Sequence, residues 1–161
     1  MKKVSYLLLS LLLAFFMYSC NKDEEPELTT YNLEKATVKG KVFADLDITN
    51  STYENAPSGT TVTARVRYSD LGISVGSGIM NQYKLYTTTV NSSGDYTLSI
   101  DASTSGTSAY FYLDDFTYDQ ILSSDSLGIV KVRKIYYTDD FSLEVFSGRT
   151  TINDVYLQDT Y

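Results

Sequence analysis

Thr60-Thr61-Val62-Thr63-Ala64-Arg65-Val66-Arg67-Tyr68 decides the fold class. Val62, Ala64, Val66 and Tyr68 fall on one side of an extended chain, and Thr61, Thr63, Arg65 and Arg67 fall on the other. Successive side chains of a strand point to opposite faces. An apolar side and a polar side over the same stretch describe a strand of an antiparallel sheet, packed on one face and wet on the other.

Upstream lies the turn cluster Ala56-Pro57-Ser58-Gly59. Before it, Val38, Gly40 and Val42 alternate with Lys39 and Lys41, opening a strand that runs towards Ile48 and ends in Thr49-Asn50-Ser51. Downstream, residues 69–82 are rich in glycine and serine and read as a loop. Residues 83–90 and 96–100 flank Asn91-Ser92-Ser93-Gly94-Asp95, the pattern of a β-hairpin with Tyr96, Leu98 and Ile100 turned to the core. Residues 101–108 read as a loop and 109–113 as a strand closed by residues 114–119. Residues 129–137, 141–146 and 151–157 complete the set, with a Ser147-Gly148 turn before the last. About eight short strands between turn signals, with no helix after the first twenty residues, predict an all-β chain folded as a single antiparallel β-sandwich. The two prolines and fifteen tyrosines agree, since aromatic and β-branched residues favour pleated surfaces.

The first residues have a different character. Lys2 and Lys3 precede an almost wholly apolar run, residues 7–17, which ends just before the only cysteine, Cys20. Such a run is roughly 16 Å long as a helix, against a hydrocarbon core of ~30 Å. A short apolar segment behind two lysines is a secretory signal rather than a membrane span. The acidic stretch beyond it lacks apolar periodicity and reads as a linker. The expected organisation is a signal peptide over residues 1–19, a linker over 20–35 and one domain over 36–161.

Met17-Tyr18-Ser19-Cys20 resembles the lipobox of bacterial lipoproteins, and Lys22-Asp23-Glu24, with Glu25 following, is similar to the surface-export tag of Bacteroidetes lipoproteins. That resemblance implies cleavage before Cys20, acylation of Cys20, and a tether in the outer membrane facing the cell exterior. Two or more acyl chains give stable anchoring. It also leaves the mature chain without a cysteine for disulfides, so a hydrophobic core has to hold the domain. A second resemblance rests on Thr37-Val38-Lys39-Gly40-Lys41-Val42, on Pro57-Ser58-Gly59 before the clean strand, and on Thr89-Val90-Asn91-Ser92-Ser93-Gly94-Asp95-Tyr96. Over residues 37–157 the chain looks like the carboxypeptidase-regulatory-like, or transthyretin-like, sandwich, which implies a mostly non-catalytic module.

The whole chain carries a formal charge of −7. Removing residues 1–19 takes away two lysines and no acid, leaving 11 basic against 20 acidic residues, or −9. That sign excludes nucleic acid as an expected partner. There is no histidine, hence no Ser-His-Asp arrangement and no imidazole base. Gly76-Ser77-Gly78 lacks the spacing of a nucleophile elbow, and no phosphate-binding glycine loop is present. Paired carboxylates remain for glycoside hydrolysis, but the chain has no tryptophan to hold a sugar ring. The expectation is a non-enzyme.

No cofactor is expected. Calcium is the one ion left open, by Asp45 and Asp47, by Asp114, Asp115 and Asp119, and by Asp139-Asp140. None fits an EF-hand loop, and aspartates at turns usually bond their own backbone. Tyr110 and Tyr112 share one face of their strand opposite Phe111 and are the candidate contacts for a partner protein or glycan, since tyrosine offers area with a polar tip. Arg65 and Arg67 read as a solvated sheet face. Asp125-Ser126-Leu127 is similar to a three-residue O-glycosylation motif of Bacteroidetes, which makes Ser126 the candidate acceptor. The functional expectation is a lipid-anchored cell-envelope protein whose sandwich binds a protein or glycan. The alternatives are a fimbrial or structural subunit, or an accessory part of an outer-membrane uptake complex.

Overall fold

The computed structural model describes residues 33–73, 82–126 and 128–159. Cys20, Lys22, Asp23, Glu24 and Glu25, the signal segment and most of the linker lie outside the described residues, as does most of the loop expected over 69–82. The strands are β1 (Lys35–Ala44), β2 (Glu54–Asn55), β3 (Thr61–Arg67), β4 (Tyr83–Thr89), β5 (Asp95–Asp101), β6 (Thr107–Leu113), β7 (Phe116–Asp125), β8 (Gly128–Tyr137), β9 (Phe141–Val145), β10 (Thr150–Ile152) and β11 (Val155–Asp159). A 3-10 turn over Tyr68–Leu71 follows β3. No α-helix occurs among the described residues.

Two sheets form the sandwich. One runs β4-β3-β6-β9, antiparallel throughout. The other is organised on β1, with β5 and β2 along one edge and β10 and β11 along the other, followed by β8 and β7. The alternation seen in the sequence decides which side chains face inward. Val62, Ala64 and Val66 of β3, Val38 and Val42 of β1, Ile100 of β5 and Phe111 of β6 are fully buried between the sheets. Phe141 stacks on Phe111 at 5.3 Å.

β1 pairs in parallel with β10 and β11, which form one path along its edge interrupted at Asn153-Asp154. The interruption is matched by Gly40, where an added Cβ would lie 1.9 Å from the Asn153 carbonyl oxygen. The Lys41 amide donates to the Asp154 carboxylate at 2.8 Å, and the Tyr96 hydroxyl donates to the Asn153 carbonyl at 2.8 Å. The sandwich is thus as expected, with one mixed sheet in place of a purely antiparallel pair.

The expected hairpin across residues 91–95 is not formed. β4 pairs with β3 and β5 pairs with β1, so the turn carries the chain from one sheet to the other. Asn91 Oδ1 accepts from the Ser93 and Asp95 amides, and Gly94 turns at φ +78° against Asn55. Alternation indicates which side chains of β5 face inward but not which strand it pairs with; Tyr86 of β4 and Tyr96, Leu98 and Ile100 of β5 are buried from opposite layers. A second correction concerns residues 114–119, expected to close a strand. Phe116 instead opens β7, which forms a long hairpin with β8.

Among the described residues β8 pairs with β11 through Tyr136 and Tyr137. Beyond that point β7 and β8 project as a two-stranded arm. Its base is fixed to the body by three contacts. Tyr136 and Gln120 both donate to the Asp45 carbonyl, at 2.7 and 2.8 Å, and Phe116 stacks on Tyr136 at 5.1 Å. Backbone bonds between Ile121 and residues 46 and 48 add to them.

Candidate functional site

β3 has neighbours on both edges, and its register sets the composition of the outer face. Arg67 lies opposite Tyr83 of β4, Arg65 opposite Leu85 of β4 and Tyr110 of β6, and Thr63 opposite Tyr112. All point away from the core by alternation. The two arginines of β3 are therefore flanked by tyrosines from both sides.

The contacts follow from that register. Arg67 Nε donates to the Tyr83 hydroxyl at 3.3 Å. Its guanidinium sits 5.9 Å from the Tyr83 ring centre and 5.7 Å from that of Tyr110. The Arg65 guanidinium lies 5.5 Å from the same Tyr83 ring, and its Nη2 is 3.2 Å from Asp140 Oδ2. A cation over a tyrosine face is drawn to the ring quadrupole. The hydrogen bond to Tyr83 raises the Arg67 pKa further, so the group stays charged. Leu85 stands 60% exposed on the same surface. Two guanidinium forks and three phenol rings make a surface of the composition enriched at binding hot spots.

Tyr110 and Tyr112 share one face of β6, as their alternation indicates, and are half-buried there. Arg65 and Arg67, read from the sequence as a merely solvated face, belong to the same surface. Tyr83 was missed as its third ring. Ser126 is exposed in the turn between β7 and β8. Leu127 of the same motif lies outside the described residues.

The outer face of the other sheet holds a second aromatic group that the sequence did not single out. Tyr156 stacks on Phe43 at 5.1 Å and meets Tyr53 edge-on at 5.3 Å. Tyr156 alternates with the buried Val155 and Leu157, which was the available signal.

A cleft of about 500 Å³ lies where the arm meets the body, lined among others by Asp45, Tyr53, Gln120, Tyr136 and Asp159. One Asp45 oxygen is buried there without a hydrogen-bond partner. Burial first, then the charges of Glu54, Asp159 and Asp47, push the Asp45 carboxyl up. The Tyr136 hydroxyl is pushed up to about 12 by burial and by Asp159, Asp45 and Glu54. Lys134 lies 3.6 Å from Asp159. Elsewhere Asp47 accepts from Thr49, Asp119 pairs with Arg133 and Asp140 with Arg65. Among the described residues no three acidic side chains converge as a metal site would require.

No protein-family model matches the chain, and no curated protein matches it. Among solved structures it is similar to a minor pilin of Streptococcus agalactiae, at 10% identity and a TM-score of 0.39 over 80% of this chain and 46% of that one. It is also similar to the major plantain pollen allergen Pla l 1, at 11% identity and a TM-score of 0.32 over 75% of this chain and 94% of that one. The chain spans less than half the length of the pilin.

Proposed function

We propose that this protein is a non-enzymatic binding module of the cell envelope. It is anchored by acyl chains on Cys20 in the outer membrane and faces the exterior, and it engages a partner protein or glycan through the outer face of β4-β3-β6. One observation carries the reading: Arg65 and Arg67 are held between Tyr83 and Tyr110 on an outward sheet face. Guanidinium groups stacked on rings are pre-oriented, so less side-chain entropy is lost when they meet a ligand. The acidic mature chain, with no cysteine beyond Cys20, and the lipobox-like Met17-Tyr18-Ser19-Cys20 support the tethered location. The anchor is tested by Cys20→Ala, which is expected to move the protein out of the detergent phase and away from membranes. Continued membrane fractionation of that variant would remove the anchor from the account. The binding face is tested separately, with Arg67 and Tyr110 replaced in the anchored protein.

A further inference from the structure

The two arginines of β3 differ in what they leave for a ligand. Nη2 of Arg65 is held by Asp140 at 3.2 Å. Arg67 is exposed and uses Nε for the Tyr83 hydroxyl, and among the described residues its Nη1 and Nη2 hydrogen-bond to no group. Of the acids near it, Asp140 is taken by Arg65 and Asp70 accepts from the Ser69 hydroxyl, so neither occupies the Arg67 fork. Two parallel N–H donors at the end of a guanidinium match the two oxygens of a carboxylate. With Tyr83 and Tyr110 on either side, the fork is held in place before any ligand arrives.

Hydroxyls surround that fork. Ser108 shares the outward side of β6 with Tyr110, Ser142 of β9 lies opposite Tyr110, and Thr87 follows Leu85 on the outward side of β4. Ser108, Ser142 and Thr87 are all exposed. Leu85 is the one aliphatic side chain among the outward positions of β4, β3, β6 and β9. A stable protein interface buries about 800 Å² on each partner around an apolar centre, which this face does not offer. A sugar asks for something else: hydroxyl partners at its rim and ring faces against its C–H groups.

We propose that the outer face of β4-β3-β6 takes a carboxylated polysaccharide of the uronic-acid type, with one sugar carboxylate seated on Nη1 and Nη2 of Arg67. This rests on the reading of that face as the binding surface and names the class of its ligand. Neighbouring sugar hydroxyls bond the hydroxyls of Tyr110, Ser108 and Ser142. The cation also explains how a chain of formal charge −7 holds an anionic ligand. Repulsion from acids elsewhere on the surface is screened over about 8 Å at physiological salt, while the contact at Arg67 is direct.

The test uses the full mature protein and three probes in titration calorimetry: oligogalacturonate, its fully methyl-esterified form, and a glutamate peptide. Oligogalacturonate is expected to bind. The ester keeps the rings and hydroxyls but not the charge, and is expected to bind about tenfold more weakly. Arg67→Ala should abolish that difference, and Arg67→Lys, which keeps the charge without the fork, should recover only part of it. Lys39→Ala, an exposed change on β1 in the other sheet, should alter neither affinity. Equal affinity for the acid and its ester would overturn the proposal and leave the face a surface for neutral sugars. Tighter binding of the glutamate peptide, lost with Arg67→Ala, would make the partner an acidic protein segment. Loss of oligogalacturonate with Lys39→Ala but not with Arg67→Ala would move the carboxylate to the other sheet. Binding of none of the three, while Arg67→Ala/Tyr110→Ala still loses a ligand that wild type retains on a glycan array, would overturn this inference and leave the binding face standing.

Discussion

Lys84 of one sheet and Asp101 of the other form an ion pair across the open side of the sandwich. Lys35, opposite Asp101 in the β1–β5 register, closes on its other oxygen, and the Tyr86 hydroxyl donates to it at 2.8 Å. Burial alone would raise the Asp101 pKa, but the two lysines and Tyr86 outweigh it and hold the carboxyl at about 2. The same carboxylate, together with burial, pushes the Tyr86 hydroxyl well above its ordinary range.

That network makes stability depend on pH with a definite sign. The folded-state pKa of Asp101 is depressed, so its contribution is present in full above the unfolded value of ~3.9 and is lost as pH falls towards about 2. The Asp101 side chain is 8% exposed while both lysines are about half in water, which limits the contribution to roughly 1–2 kcal/mol. Asp101→Asn is expected to lower stability by that amount at neutral pH. It should also flatten the fall between about pH 5 and 2, as measured by urea unfolding at several pH values.

Gly40→Ala is expected to be among the most damaging single-methyl changes. Its Cβ would meet the Asn153 carbonyl oxygen at 1.9 Å and the carbonyl carbon at 2.6 Å, both backbone atoms. The Asn153-Asp154 interruption would have to move, straining the Tyr96–Asn153 hydrogen bond. A loss of about 2–3 kcal/mol is expected from overpacking of this kind. Urea denaturation checks it, with Gly148→Ala, at a positive-φ turn with room for a Cβ, as a contrasting site.

Tyr136→Phe is expected to loosen the arm at its base without unfolding the body. The ring stays stacked on Phe116, but the bond to the Asp45 carbonyl is lost. One such bond contributes about 1 kcal/mol. Faster amide exchange at Ile48 and Ile121, whose N–H groups bond Ile121 and Leu46 carbonyls, with core amides of β3 unchanged, is the expected readout.

The strand faces were legible in the sequence, while the strand partners were not. Val62, Ala64, Val66, Tyr96, Leu98 and Ile100 are buried as their alternation indicated. Alternation says nothing about which edge a strand finds, so residues 91–95 read as a hairpin when they join two sheets. β7 was hidden for a different reason. At the start of β7 only Phe116 is half-buried while Thr117, Tyr118 and Asp119 are exposed, so the stretch shows no one-sided apolar pattern, and Asp114, Asp115 and Asp119 mimic a turn. The candidate face was half legible for the same cause. Alternation puts Tyr110 and Tyr112 on one face of their strand, but only the β3–β6 and β3–β4 registers bring them beside Arg65, Arg67 and Tyr83.

The central claim is that this arginine–tyrosine face binds a partner. The most direct measurement compares wild type with the Arg67→Ala/Tyr110→Ala variant, both full-length and anchored, on a glycan array and against separated outer-membrane proteins. Both substitutions are on the wet face, so stability should change by less than about 1 kcal/mol. Wild type is expected to retain a discrete glycan or protein, and the variant to lose it by tenfold or more. Equal retention by the two proteins, or no retention by wild type on either surface, would contradict the account.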